Sequence, residues 1–213
     1  HQVLPREIPI TGGLAGDGSR FESTLTGLNH LPSSGNIIAI GFYGENFKVS
    51  HGSLGGWDSF GLERTVTKSC KNELFEIDGR SALSLYKEYL GKYADELPGS
   101  ALMFPLSVKM GEDRLTRTIL SIDTEKDSMV FAGDIPEGSN IRFMKANFDR
   151  LIDASGLAAK DAMTGFDVMQ PQLALLISCV GRKLLLGNRI DEEVEVIRDI
   201  FGGKTVLSGF YSY

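Results

Sequence analysis

The chain has 213 residues, 42% hydrophobic and 23% charged, enough for a sizeable core in one large domain or two small ones. Its net charge of −6, with lysines and arginines scattered among carboxylates, argues against nucleic acid or an anionic membrane surface as the main partner, because phosphate binding needs a basic stripe. No apolar run approaches the ~20 residues of a membrane span, nothing reads as a signal peptide, and Cys70 and Cys179 offer neither a C-x-x-C pair nor a disulfide framework, so a reducing cytosol is expected.

Residues 8–70 read as strands joined by glycine turns. "NIIAIGFYG" (36–44) is apolar and β-branched, and "NFKVSHG" (46–52) sets Phe47, Val49 and His51 against Lys48 and Ser50 with period two. Gly44-Glu45-Asn46 suits a hairpin turn between them, and "LERTVTKS" (62–69) reads as a further strand. After "EIDGRS" (76–81), residues Ala82, Leu85, Tyr86, Tyr89, Leu90 and Tyr93 fall on one helical face. Asp78 or Ser81 can cap that helix, Leu97-Pro98-Gly99 stops it, and its three tyrosines are expected in the core with their hydroxyls near the surface.

Four strand-like runs follow, 100–108, 115–123, 128–133 and 139–146, and the turn chemistry between them predicts an antiparallel meander. Asn147 is placed to cap a helix carrying Phe148, Leu151, Ile152, Ser155 and Ala158. Next come a strand at 172–178, the break "SCVGR" (178–182), and a helix at 191–201. Asp191, Glu192 and Glu193 suit the positive start of that helix, and Gly202-Gly203 closes it. A last strand covers 204–211. Strands with helices interspersed irregularly predict an α+β fold, a mostly antiparallel or mixed β-sheet with three to four helices packed on it. The chain opens at His1 and closes in the apolar aromatic run "LSGFYSY" (207–213), so an excised fragment is expected.

Three readings compete for "LISCVGRKLLLG" (176–187). A thiol between a strand and a helix start can be an activated nucleophile. The sequence holds only His1, His30 and His51 as imidazole bases, however, and the first glycine of a nucleophile elbow is lacking. Alternatively, peptide N–H groups beside Gly181, with the planar fork of Arg182, suit a carboxylate or phosphate. The third reading is punctuation: Arg182 pairs with a helix acid and Cys179 simply packs.

A second constellation, "VSHGSLGGWDSFG" (49–61), holds His51, Gly52 and the only tryptophan, Trp57. Its glycines admit a ligand close to backbone, Trp57 offers a flat wall, and His51 can donate hydrogen bonds, bind a metal or ligate haem iron. Equally, the glycines turn the chain, Trp57 covers a core edge and His51 bonds to backbone. "TGGLAGDGSRF" (11–21) is glycine-rich but lacks the G-x-G-x-x-G order of a dinucleotide site. No metal site is expected.

The stretches "GGLAGDGSRF" (12–21), "VSHGSLGGWDSFG" (49–61), "ELFEIDGRSALSLYKEYLG" (73–91), "SCVGRKLLLGNRIDEEVE" (178–195) and "GFYSY" (209–213), in that order, resemble the FIST sensory module. The resemblance implies a division into the C-terminal part of a FIST-N region at 1–70 and a FIST-C domain, truncated at its C-terminal end, at 71–213. It further implies a cytoplasmic, non-enzymatic input domain of prokaryotic signal transduction. Such a domain would bind a small metabolite such as an amino acid and speak to an output domain or partner such as a histidine kinase, without nucleic acid or membrane, a homo-oligomer being left open. A haem-based nitric oxide sensor with His51 as axial ligand is the alternative. The family pattern falls on His51, Gly52, Trp57, Cys179, Gly181, Arg182 and Tyr211. It sets binding level with punctuation at SCVGR, and the expectation adopted is that Arg182 and adjacent N–H groups hold a ligand carboxylate, with Trp57 and Tyr211 as walls.

Overall fold

The computed structural model describes residue 5 and residues 8–18, 20, 22–164 and 170–213; His1, and Ser19 and Phe21 of the 12–21 stretch, lie outside the described residues. The fold is α+β, and the chain divides into two compact units, one built from the residues up to 54 with 148–213, the other from 55–147.

In the 55–147 unit, eight strands form one sheet: β1 (Asp58–Cys70), β2 (Glu73–Ile77), β3 (Arg80–Ser81), β4 (Leu106–Met110), β5 (Asp113–Arg117), β6 (Ile119–Asp123), β7 (Ser128–Phe131) and β8 (Asn140–Lys145). The order is β5-β4-β8-β1-β2-β7-β6, with β3 paired to β2. The strand pairings in this sheet, β1–β2, β1–β8, β2–β3, β2–β7, β4–β5, β4–β8 and β6–β7, are antiparallel. This differs from the expected meander: β4–β5 and β6–β7 are hairpins, but β8 returns to lie between β4 and β1. Because only Thr118 separates β5 from β6 along the chain, the two edges of the sheet must approach one another, and the sheet curls.

The curl is filled by α1 (Ala82–Leu90) and the inward residues of the strands, among them Val66, Leu74, Ile77, Leu106, Val108, Met129, Phe131, Ile141 and Phe143. Ser81 caps α1 as expected, its Oγ accepting from the Ser84 N–H at 3.1 Å. Asp78 does other work, accepting from the Thr65 N–H and from Arg64. Tyr86 is fully buried and its hydroxyl donates to the Phe104 carbonyl, while Tyr89 stacks on Phe143 with 4.1 Å between ring centroids. Residues 99–103, expected as the start of a strand, instead form a 3-10 turn, and the ladder begins only after Pro105. Proline lacks the N–H a ladder requires, which sets that limit.

The other unit holds α2 (Phe148–Met163), β9 (Leu173–Cys179), α3 (Val180–Leu186), α4 (Ile190–Phe201) and β10 (Val206–Ser212). Strands β9 and β10 run parallel with an unbroken register from Val206–Leu173 to Ser212–Cys179. Ala159 of α2 with Ile197 and Phe201 of α4 forms a small core, against which Ala174, Leu176 and Leu207 pack from one face of the strand pair. On the other face Leu173, Leu175, Val206 and Phe210 are exposed.

The hairpin expected from 36–44 and 46–52 is not formed. A turn exists at Glu45-Asn46 and Phe42 stacks on Phe47 at 5.1 Å, but neither arm is a strand. An isolated two-stranded hairpin is marginal without further strands or a covering layer. Among the described residues neither is present, and Ile37 and Tyr43 are 97% and 93% exposed.

Candidate functional site: the carboxyl end of the parallel strand pair

Several of the glycine-rich and polar stretches singled out in the sequence meet at the carboxyl ends of β9 and β10. The 12–18 stretch runs antiparallel to the end of β10: Gly16 N–H donates to the Tyr211 carbonyl at 2.9 Å and Tyr213 N–H to the Leu14 carbonyl at 3.2 Å, flanking an Ala15–Ser212 bridge. Gly16 is required there, since a Cβ would lie 2.4 Å from Val180 Cγ2. Asp17 locks the turn. Its carboxylate, 4% exposed, accepts from the Glu22 and Ser23 N–H groups and is bonded to the Tyr213 hydroxyl, which also accepts from the Asp17 N–H at 3.0 Å.

At the end of β9 the chain passes from Cys179 straight into α3. Cys179, half-buried, occupies the N-cap position without a side-chain cap, and Gly181 and Arg182 are buried in the first turn. The register sets Tyr211 beside Ser178. The Lys183 ammonium lies 4.1 Å from the centroid of the Tyr211 ring, an attraction between a cation and an aromatic face. Burial, helped by the charges of Glu193 and Asp191, pushes the Tyr211 hydroxyl up, so it stays a donor at neutral pH.

The Arg182 guanidinium is not offered to solvent. Its Nη2 donates to the Leu151 carbonyl, to Ser155 Oγ at 2.6 Å and to Glu193 Oε1, and its Nη1 reaches the Leu54 carbonyl at 3.4 Å. Nε is buried without a partner among the described residues. The expectation set a ligand carboxylate on this guanidinium; in this structure it holds the carboxylate of a helix acid, Glu193. The physical reason is position. Leu151 and Ser155 share one face of α2, and Glu193 turns inward on the first turn of α4, 4% exposed. A buried guanidinium must satisfy its donors, and these acceptors are what α2 and α4 supply.

Gly52 also belongs to this unit and packs on α2, whereas His51, Ser53 and Leu54 are exposed. Trp57, half-buried, belongs to the 55–147 unit. Sequence reasoning missed the Asp17–Tyr213 lock and Ser155. For Glu193 a signal existed, because Ile190, Glu193, Ile197 and Phe201 lie at helical spacing on one face, which puts the acid in the apolar stripe.

Among the described residues there is no cluster of three or more His, Cys, Asp or Glu able to hold a metal ion, and no helix long and apolar enough to cross a membrane.

The chain is 24% identical over 221 residues to the uncharacterized protein MJ1623 of Methanocaldococcus jannaschii. That alignment takes in 93% of this chain and 41% of the relative, so the chain spans about two fifths of the length of the curated relative it matches. No solved structure matches it. Residues 1–80 match the FIST N domain and residues 82–213 the FIST C domain. With all but residue 81 covered by these two matches, the chain belongs to the FIST family, whose domains are sensory domains of signal transduction.

Proposed function

We propose that this chain is the ligand-binding part of a cytoplasmic sensor that takes up a small metabolite bearing a carboxylate, such as an amino acid. It reports occupancy to an output domain or partner such as a histidine kinase. The observation that carries the reading is the gathering of the 12–18, 178–183 and 211–213 stretches at the carboxyl ends of two parallel strands. The carboxyl edge of parallel strands is where open α/β sheets receive ligands, because the strands stop there and the connecting turns leave a crevice.

In this reading Cys179 and Gly181 form the floor of the site, and Tyr211 supplies an apolar wall with a hydroxyl donor. Lys183, which is exposed, attracts the carboxylate at the mouth, and the 51–54 stretch, with His51 and Gly52, forms a movable rim. The proposal is non-enzymatic. Among the described residues no imidazole is bonded to Cys179, and in this reading its neighbours serve as donors and walls.

The test is thermal denaturation of the full chain against a panel of the amino acids. At least one member is expected to raise the midpoint in a concentration-dependent way, as any ligand selective for the native state must. Lys183→Glu is expected to abolish that rise while leaving the unliganded midpoint near its original value. Absence of stabilisation by every member, with the chain folded, would remove the metabolite reading.

A further inference from the structure

Three features of the Arg182 contact are unusual for an ion pair whose task is only to hold helices together. Glu193 meets the guanidinium through Oε1, an oxygen that also accepts from Ser155 Oγ at 3.3 Å. A guanidinium is shaped to receive two carboxylate oxygens along one edge. Here Nη2 carries three acceptors, Nη1 has one long bond, and Nε has none among the described residues although it is buried. Buried donors are nearly always satisfied, so an orphaned Nε–H marks an edge that the internal carboxylate fills incompletely. Finally, Nη1 is covered by the Leu54 carbonyl, part of a stretch whose His51, Ser53 and Leu54 are exposed and which makes no strand ladder. That cover can lift without breaking a sheet.

We infer that Arg182 is a carboxylate seat and that Glu193 is its internal occupant, holding the seat until the carboxylate of a ligand displaces it. This rests on the sensor reading above and gives it a switching step. With Glu193 on Arg182, the first turn of α4 is tied to α3 and, through Ser155 and the Leu151 carbonyl, to α2. With the ligand in place, Arg182 gains a two-oxygen partner that also reaches Nε. Glu193 is then released from the apolar face of α4, and the first turn of that helix loosens. Occupancy is thus converted into a change at α4. Each state keeps one carboxylate on the guanidinium, so the exchange leaves no buried cation unpaired.

The experiment uses the full chain and formate as the probe. Glu193→Ala is expected to lower the thermal midpoint, and formate to restore most of the loss. The wild type and the Glu193→Ala/Arg182→Met double variant should not respond. Glu193→Gln keeps the shape of the side chain and removes its charge; formate should stabilise it too, and an amino acid that stabilises the wild type should bind it about tenfold more tightly, because the internal competitor is weakened. A structural pair would behave oppositely, with affinity falling in both variants. Failure of formate to stabilise either Glu193 variant overturns the inference, as does weaker amino-acid binding by Glu193→Gln. If formate rescues the variants while no amino acid stabilises any form, the seat stands and the amino-acid reading falls.

Discussion

Gly52 has no space for a side chain, since a Cβ there would stand 2.0 Å from the Ala158 carbonyl oxygen. That oxygen is backbone and cannot rotate away. Gly52→Ala is therefore expected to cost about 1–3 kcal/mol through forced displacement of the 51–54 stretch, read from the urea midpoint. Tyr86→Phe removes a buried donor and leaves the Phe104 carbonyl without it, an expected loss of about 1 kcal/mol by the same measurement. Asp78 gives a pH dependence. The Thr65 N–H, and then Arg64, hold its carboxyl below the ordinary range. The sign follows from a depressed folded value: the stabilisation is complete above the unfolded carboxyl pKa of about 4 and is lost as pH falls through the folded value. The urea midpoint should drop on acidification below about pH 4, and Asp78→Asn should flatten part of that drop. Such contacts explain what could be read at this scale. Arg182 was legible as a residue with a task, because a guanidinium at a strand end needs acceptors. A helix acid was among its readable partners, and Glu193 stood out in the apolar stripe of α4; Leu151 and Ser155 were not legible, because they lie 31 and 27 positions away and meet it only through packing.

At the level of elements, periodicity carried furthest where a segment has its own buried face. The helix beginning at Ala82 was legible from its apolar spacing and cap, and the structure has it at Ala82–Leu90 with Ser81 in place. Ser81→Ala should cost about 1 kcal/mol, with the loss visible as faster amide exchange in the first turn of α1. Strand patterns were less reliable guides, because alternation records a wish for two neighbours and a layer beneath without supplying them. Residues 36–49 carry the pattern and find no strand partner among the described residues, and their apolar side chains stand in solvent. Order within the sheet was hidden for a related reason. Nothing in the β8 sequence announces that it pairs with β4 and β1 rather than with the strand just before it.

For the molecule as a whole, the hydrophobic cluster around Phe143 and Tyr86 draws all its members from the 55–147 unit. This unit has the makings of independent folding. The excised 55–147 segment is expected to unfold cooperatively by near-ultraviolet circular dichroism, and Phe143→Ala, which empties a site 1% exposed, should cost it about 3–5 kcal/mol. The remaining unit is assembled differently, since its 12–18 stretch is clasped by residues 211–213 and the Asp17–Tyr213 bond joins positions 196 apart. During synthesis the early stretch therefore emerges long before its partner exists. Its partner in this clasp follows only after the whole of the 55–147 unit has been made and can already collapse. Closing so long a loop places this clasp among the slow events of folding, and the interval is a window in which a chaperone, or a ligand arriving early, would find those glycines open.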